Sequence, residues 1–375
     1  MKNRKFLLFG IILSISLFLV ACGTASEENT EEENNAGTEE SGNTTSGTEE
    51  TSTDYQVGMV TDEGGVDDKS FNQSAWEGIK AWGEENGLAK GEGFDYAQSD
   101  ETADYMPNIT RFVRDDYDLV YGVGFKLKKD IQKAADQFAN TNFAIVDDVV
   151  DAPNAASITF KEHQGSFLVG VAAALKTTTE KVGFVGGINS PLIKKFESGF
   201  TAGVKSINPD IEVDVQYAES FTDPAKGKLI ATNMYDSGVD VIYHSSGGTG
   251  NGVFNQAKDI KQNEPERAIW VIGVDRDQYE EGQIGEHNVT LTSMVKRVDV
   301  AVQDVINRGM NGEFPEGEQL EYGLEENGIR VATTNEEAMT EEIISTVKDW
   351  EEEILNGEVE VPQTIEELEA YVDSL

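Results

Sequence analysis

One cysteine, Cys22, and three histidines, His163, His244 and His287, are all that 375 residues offer a soft metal or a thiol chemistry. A single thiol excludes an internal disulfide and a Cys-paired zinc site, and the histidines show no metal-ligand spacing. Cations are scarce as well: 29 Lys and Arg stand against 70 Asp and Glu, a formal net charge of −41. Such a balance keeps a chain soluble and argues against nucleic acid or anionic lipid headgroups as partners, because both reward Lys and Arg. The apolar run Phe6 to Val20 falls short of the roughly 20 residues that span a hydrocarbon core. No Gly-x-Ser-x-Gly nucleophile elbow occurs. Gly122-Val-Gly-Phe125 and Gly247-Gly-Thr-Gly250 lack both the P-loop's Gly-Lys-Ser/Thr and a full dinucleotide fingerprint, so phosphate binding is not expected.

What is present begins with the N-terminus. Lys2, Arg4 and Lys5 precede the apolar run, and Leu19-Val20-Ala21-Cys22 resembles the bacterial lipobox. Residues 1–21 therefore read as a lipoprotein signal peptide, whose removal takes three positive charges and moves the net charge from −41 to −44. Cys22 reads as the lipidated first residue, carrying a palmitate-type anchor that holds the chain on the extracellular face of the cell membrane. Residues 22–54 are dominated by Glu, Thr, Ser, Asn and Gly, with no aromatic or branched aliphatic side chain after Cys22, which predicts a disordered tether. Its charge would extend it and suits passage through a cell wall.

From Tyr55 onward apolar, β-branched runs recur: Tyr55–Val60, Asp118–Gly124, Asn142–Val146, Lys181–Val185, Asp240–Tyr243 and Ala268–Val274. Each predicts a buried parallel strand. Between them lie stretches of helical period, namely Gln73–Glu85, Leu127–Ala139, Gly165–Leu175, Leu192–Ser206 and Phe254–Ile260. The alternation predicts an α/β architecture, and the length suits two lobes. Many strands run straight into Gly, Asp or Ser, as at Thr61-Asp62, Asp147-Asp148, Gly186-Gly187, Ser245-Ser246 and Asp275-Arg276. Ligands bind beyond the carboxyl ends of strands in open α/β sheets, so these ends predict a cleft. Ser157–Phe160 and Thr290–Val295, each followed by a helix, predict two crossings between lobes, and Tyr322-Gly-Leu324 a third. The expected lobes are 55–160 with about 296–318, and about 161–295 with 319–375.

The segment Asp67-Asp-Lys-Ser-Phe-Asn-Gln73, the Gly-Val-Gly-Phe strand end, Ser246-Gly-Gly-Thr-Gly250, Val271-Ile-Gly-Val-Asp275 and Thr292-Ser-Met-Val-Lys-Arg297 occur in the order found in the basic membrane protein family of bacterial lipoproteins. The resemblance extends over nearly all of Tyr55 to Pro362. It implies a type I periplasmic-binding-protein fold, two Rossmann-like lobes joined by a three-segment hinge. It further implies a monomeric receptor, without cofactor, metal or enzymatic activity, that delivers nucleosides to the permease and ATPase subunits of an ABC importer. Purine nucleosides such as guanosine, inosine and adenosine are the ligands it favours.

Residues at the matching positions suit that chemistry. Phe71 and Phe221 would sandwich a flat base, although both also read as ordinary core residues. Asp62 and Asn72 would meet the base edge, with Asp147 at another strand end of the same cleft. Asp275 and Lys296 would take the ribose hydroxyls, one accepting and one donating, if Lys296 is not simply a surface lysine. The backbone N–H of Gly247 or Gly248 could approach the sugar closely. Asp67 and Asp68 read as caps of the first helix or as solvated residues. Together with Asp62 they also bring to mind the calcium-binding aspartates of nucleoside hydrolases, which keeps a calcium-dependent nucleoside-cleaving enzyme as one alternative. A ligand sensor without a transporter is another.

Overall fold

The computed structural model describes residues 53–375. The signal peptide, Cys22 and the tether up to residue 52 lie outside the described residues. Among the described residues no helix is long and apolar enough to cross a membrane.

In chain order, β1 (Val57–Thr61), α1 (Phe71–Glu85), β2 (Phe94–Ala97), α2 (Tyr105–Arg114), β3 (Leu119–Val123), α3 (Lys128–Gln137), β4 (Asn142–Val146) and β5 (Ala155–Phe160) come first. There follow α4 (Glu162–Lys176), β6 (Lys181–Gly186), α5 (Pro191–Ile207), β7 (Glu212–Tyr217), α6 (Pro224–Asp236), β8 (Val241–Ser245), α7 (Gly250–Asn263) and β9 (Trp270–Asp275). A small hairpin, β10 (Gln283–Ile284) and β11 (His287–Asn288), leads to β12 (Thr290–Lys296), α8 (Val298–Met310), β13 (Gln319–Tyr322), β14 (Ile329–Val331), α9 (Glu341–Leu355) and α10 (Ile365–Asp373).

The strands form two six-stranded sheets, β13-β5-β4-β3-β1-β2 and β14-β12-β9-β8-β6-β7. Every pairing in them is parallel except β12 with β14. Position by position the sheets correspond: β1 with β6, β3 with β8, β4 with β9, β5 with β12. The central strands are buried along their whole length, as continuous Val, Ile and Leu runs require when helices cover both faces. The edge strands β2 and β7 are only partly buried and carry Asp, Glu and Gln among their apolar residues.

Three crossings join the lobes. After β5 the chain enters α4, which packs on α5 of the second lobe so closely that a Cβ on Gly170, Gly199 or Gly203 would lie 2.0–2.3 Å from a carbonyl oxygen of the facing helix. After β12 it returns through Arg297 to α8, which lies against α1, where a Cβ on Gly78 would meet the Asp299 carbonyl at 2.3 Å. The third crossing needs a correction to the expected boundary at 319. Strand β13 pairs with β5 in the first sheet, so the chain changes lobe between Tyr322 and Ile329, where β14 joins β12. Helices α9 and α10 finish in the second lobe, with Trp350 and Tyr371 packed on Phe167 of α4 at 5.2 and 6.3 Å between ring centroids.

Candidate functional site

The carboxyl ends of both sheets face one another across a cavity lined by residues of both lobes. Of the residues expected from the sequence, Asp62, Phe71, Asn72, Asp147, Phe221, Gly247, Asp275 and Lys296 line it. Gly248 does not. Both Gly247 and Gly248 sit in the tight turn Gly247–Thr249 beside the Phe221 carbonyl, which would lie 3.3 Å from a Cβ on either, and of the two only Gly247 lines the cavity.

The first lobe supplies a polar wall built by the turn before α1. Asp68 caps that helix, its carboxylate accepting from the backbone N–H of Ser70 (2.8 Å), Asn72 (3.0 Å) and Gln73 (3.2 Å). Asn72 donates from Nδ2 to Asp62 Oδ1 (2.9 Å) and Asp68 Oδ2 (3.2 Å), which fixes its amide and leaves its Oδ1 buried without a donor. Asp62 Oδ1 also accepts from Gly64 N–H (2.9 Å). Its Oδ2 lies 3.1 Å from where a Gly124 Cβ would stand, at a φ of +114°, so glycine is required there twice over. Burial pushes both Asp62 and Asp68 above the usual carboxylate range.

The second lobe supplies a mostly apolar wall. Leu192, Ile193 and Phe196 from the first turns of α5 line the cavity beside Phe221, which meets Phe125 of the first lobe edge-on at 6.3 Å. Ile193 and Phe196 were not singled out in the sequence, Leu192 only opened a helical stretch, and Phe125 figured only as the last residue of the Gly-Val-Gly-Phe strand end. The signal was available by symmetry: α5 follows β6 as α1 follows β1, so the residue that places Phe71 at the cleft has counterparts at the start of α5.

At equivalent positions in the two sheets, β4 and β9 run out into Asp147 and Asp275, both in the left-handed region with φ of +72° and +66°. Aspartate tolerates that conformation better than most residues, and backbone strain of this kind gathers at functional sites. Lys296, 1% exposed, donates to both oxygens of Asp147 at 2.6 Å and lies 3.2 Å from Glu162. It is therefore no surface lysine, and the rings of Phe71 and Phe160 pack on it at 5.0 and 4.9 Å. Burial would lower its pKa, but Asp147, Glu162 and Asp275 outweigh that and hold it firmly charged. Asp275 bonds the Ser70 hydroxyl across the cleft. Burial lifts Asp147 to about 6 and Asp275 to about 7, Lys296 opposing the rise in each.

The lobes touch around the cavity mouth. Arg276 grips Glu77 of α1 with two bonds of 2.9 Å, Gln278 donates to the Lys69 carbonyl (2.9 Å), and Asn251 to the Asp68 carbonyl (3.2 Å). These bonds describe a closed cleft. Gln278 is itself fixed by His244, 3.0 Å away, and by Val274 N–H at 2.9 Å. Among the described residues no group of three or more His, Cys, Asp or Glu side chains is placed to hold a metal ion.

Residues 55–365 match the family model described as Bmp, ABC transporter substrate-binding protein PnrA-like. The chain is 46% identical over 371 residues to a CD4+ T-cell-stimulating antigen of Listeria innocua, covering 97% of this chain and 99% of the relative. It is 43% identical over 317 residues to the ABC transporter nucleoside-binding protein BmpA of Lactococcus lactis, covering 83% and 90%. Among solved structures, an ABC transporter solute-binding protein from Aeropyrum pernix superposes with a TM-score of 0.75 at 26% identity, covering 85% of this chain and 98% of that one. The fold is the type I periplasmic-binding-protein fold, two Rossmann-like lobes joined by three segments.

Proposed function

The chain belongs to the Bmp family of PnrA-like ABC transporter substrate-binding proteins, and from that premise we propose that it captures nucleosides, purine nucleosides foremost, and passes them to an importing permease and its ATPase. The observation that carries this reading is the division of one closed cavity into an apolar, aromatic wall and a wall of hydrogen-bonding carboxylates. A base needs the first for its faces and the second for its edge and sugar. Phe71 and Phe221, on opposite lobes, are the base-stacking pair, with Phe125 bracing Phe221. Asp62 and Asn72 meet the base edge, and Asn72 Oδ1 is the acceptor still open there. The ribose lies at the other end, its hydroxyls on Asp275, on the Asp147–Lys296 pair and near Gly247.

Closure is driven by the difference in ligand affinity between open and closed lobes, which move about the three crossings. No bond is broken. Cys22 carries the lipid anchor and residues 23–54 the reach, placing the receptor on the extracellular face of the membrane. Substitution of Cys22 by Ser should release the protein into the medium.

Calorimetry on the ligand-stripped protein with nucleosides, free bases, ribose and other sugars, with and without calcium, tests the assignment. Submicromolar binding of intact nucleoside with no base released is the expected result. Calcium-dependent release of free base would replace the receptor by a hydrolase, and tight binding of a sugar alone would replace the ligand class.

A further inference from the structure

Behind the cavity wall, out of reach of any ligand, a second carboxylate attends Lys296. Glu162 is the first residue of α4, directly after the first crossing, and its side chain is fully buried. It does not line the cavity. Its Oε1 lies 3.2 Å from Lys296 Nζ without hydrogen-bond alignment, while its Oε2 accepts from Lys195 Nζ at 3.1 Å. Lys195, on α5, also donates to the Phe160 carbonyl at the end of β5 (3.1 Å). The chain Asp147–Lys296–Glu162–Lys195 thus runs from a strand end of the first lobe, through the second crossing and the first, to the helix whose opening turn forms the apolar wall.

Asp147 already neutralises Lys296 through two short bonds, and Glu162 draws its own countercharge from Lys195, so the four groups form one balanced buried network in which removing any charge leaves another unpaired. Burial alone would raise Glu162, yet Lys296 and Lys195 outweigh burial and keep it below the usual carboxylate range, hence charged. Its place beside the ammonium, with aromatic rings closing the other sides, leaves Lys296 few orientations.

We propose that Glu162 is a positioning residue for ribose recognition: it holds the Lys296 ammonium in register with Asp147 at the cleft floor and, through Lys195, ties that register to α5 and the closed geometry. The proposal rests on the nucleoside reading. It predicts that Glu162 is coupled to the sugar hydroxyls and to nothing else on the ligand.

The test is calorimetry of the parent and Glu162→Gln chains against a ribonucleoside and its 2′,3′-dideoxy analogue. Glutamine keeps the shape and removes the charge. The ribonucleoside should lose at least tenfold in affinity and the dideoxy analogue less than twofold, because the analogue keeps only its 5′-hydroxyl and lacks the 2′ and 3′ hydroxyls that the displaced ammonium would miss. Equal losses for both ligands, or none for either, would overturn the positioning role. If Glu162→Gln does not fold, Lys195→Gln carries the same test, since Lys195 is partly exposed and its loss releases Glu162 from α5; the hydroxyl-dependent loss is then threefold or more. Failure of the parent to bind any nucleoside would overturn the underlying reading instead, and is recognised before any variant is compared.

Discussion

Strands β4 and β9 hold the same place in their sheets and end in the same residue in the same left-handed turn, yet Asp147 and Asp275 live differently. The neighbour makes the difference. Strand β12 ends in Lys296, which reaches Asp147, whereas β5, its counterpart, ends in the apolar Phe160 and offers Asp275 no cation of its own. Among the described residues Asp275 has only the Ser70 hydroxyl as its direct side-chain partner, and burial pushes it up to about 7, against about 6 for Asp147. Two similar sheets thereby carry one carboxylate locked into an ion pair and one held by a hydroxyl alone, so the two ends of the cleft are treated unequally.

Breaking the locked side should have the largest effect. Lys296→Met would leave Asp147 and Glu162 buried with no cation between them, costing about 3–5 kcal/mol of stability, as loss of one member of a buried pair does. Denaturant unfolding reads that cost, and nucleoside affinity should fall at least a hundredfold.

The open side sharpens next. Asn tolerates the left-handed turn, so Asp275→Asn removes charge without backbone strain and should weaken nucleoside binding by about 1.5–3 kcal/mol, the worth of a hydrogen bond to a charged group. Binding should also weaken as pH falls from 8 to 6 in the parent and lose most of that slope in the variant, because ligand hydroxyls need the ionised carboxylate. Stability moves the opposite way. A carboxyl raised from about 3.9 in the unfolded chain to about 7 in the fold favours the fold while protonated, so its contribution is full below pH ~4 and is lost as pH rises through 7. Calorimetry and unfolding over one pH series separate the two.

Smaller still is the aromatic wall: Phe221→Ala should reduce affinity for nucleoside and free base alike, by about 0.5–1.5 kcal/mol beyond the buried area lost. The least is expected from the exposed pair Lys228–Asp259 on α6 and α7, where Lys228→Ala should change stability by under about 0.5 kcal/mol despite a 2.5 Å contact.

Strand ends were the legible part of this molecule. A central strand advertises itself as a β-branched run, and the residue where the run stops is by topology at the cleft, so Asp62, Asp147 and Asp275 could be read without coordinates. Edge strands β2 and β7 escaped because half-buried backbone needs no such run. Glu162 and Lys195 escaped for another reason: nothing local to a helix start marks a side chain as the partner of a lysine more than a hundred residues away. Of the two adjacent glycines the sequence offers, Gly247 lines the cavity and Gly248 does not, a difference that neighbouring identical residues cannot show.

The most direct trial of the account is a crystal structure of the protein with bound inosine. The base should lie between Phe71 and Phe221 with its edge toward Asp62 and Asn72, and the ribose hydroxyls within hydrogen-bond distance of Asp275. A ribose turned toward Asp62, or a ligand seated outside this cavity, would contradict it.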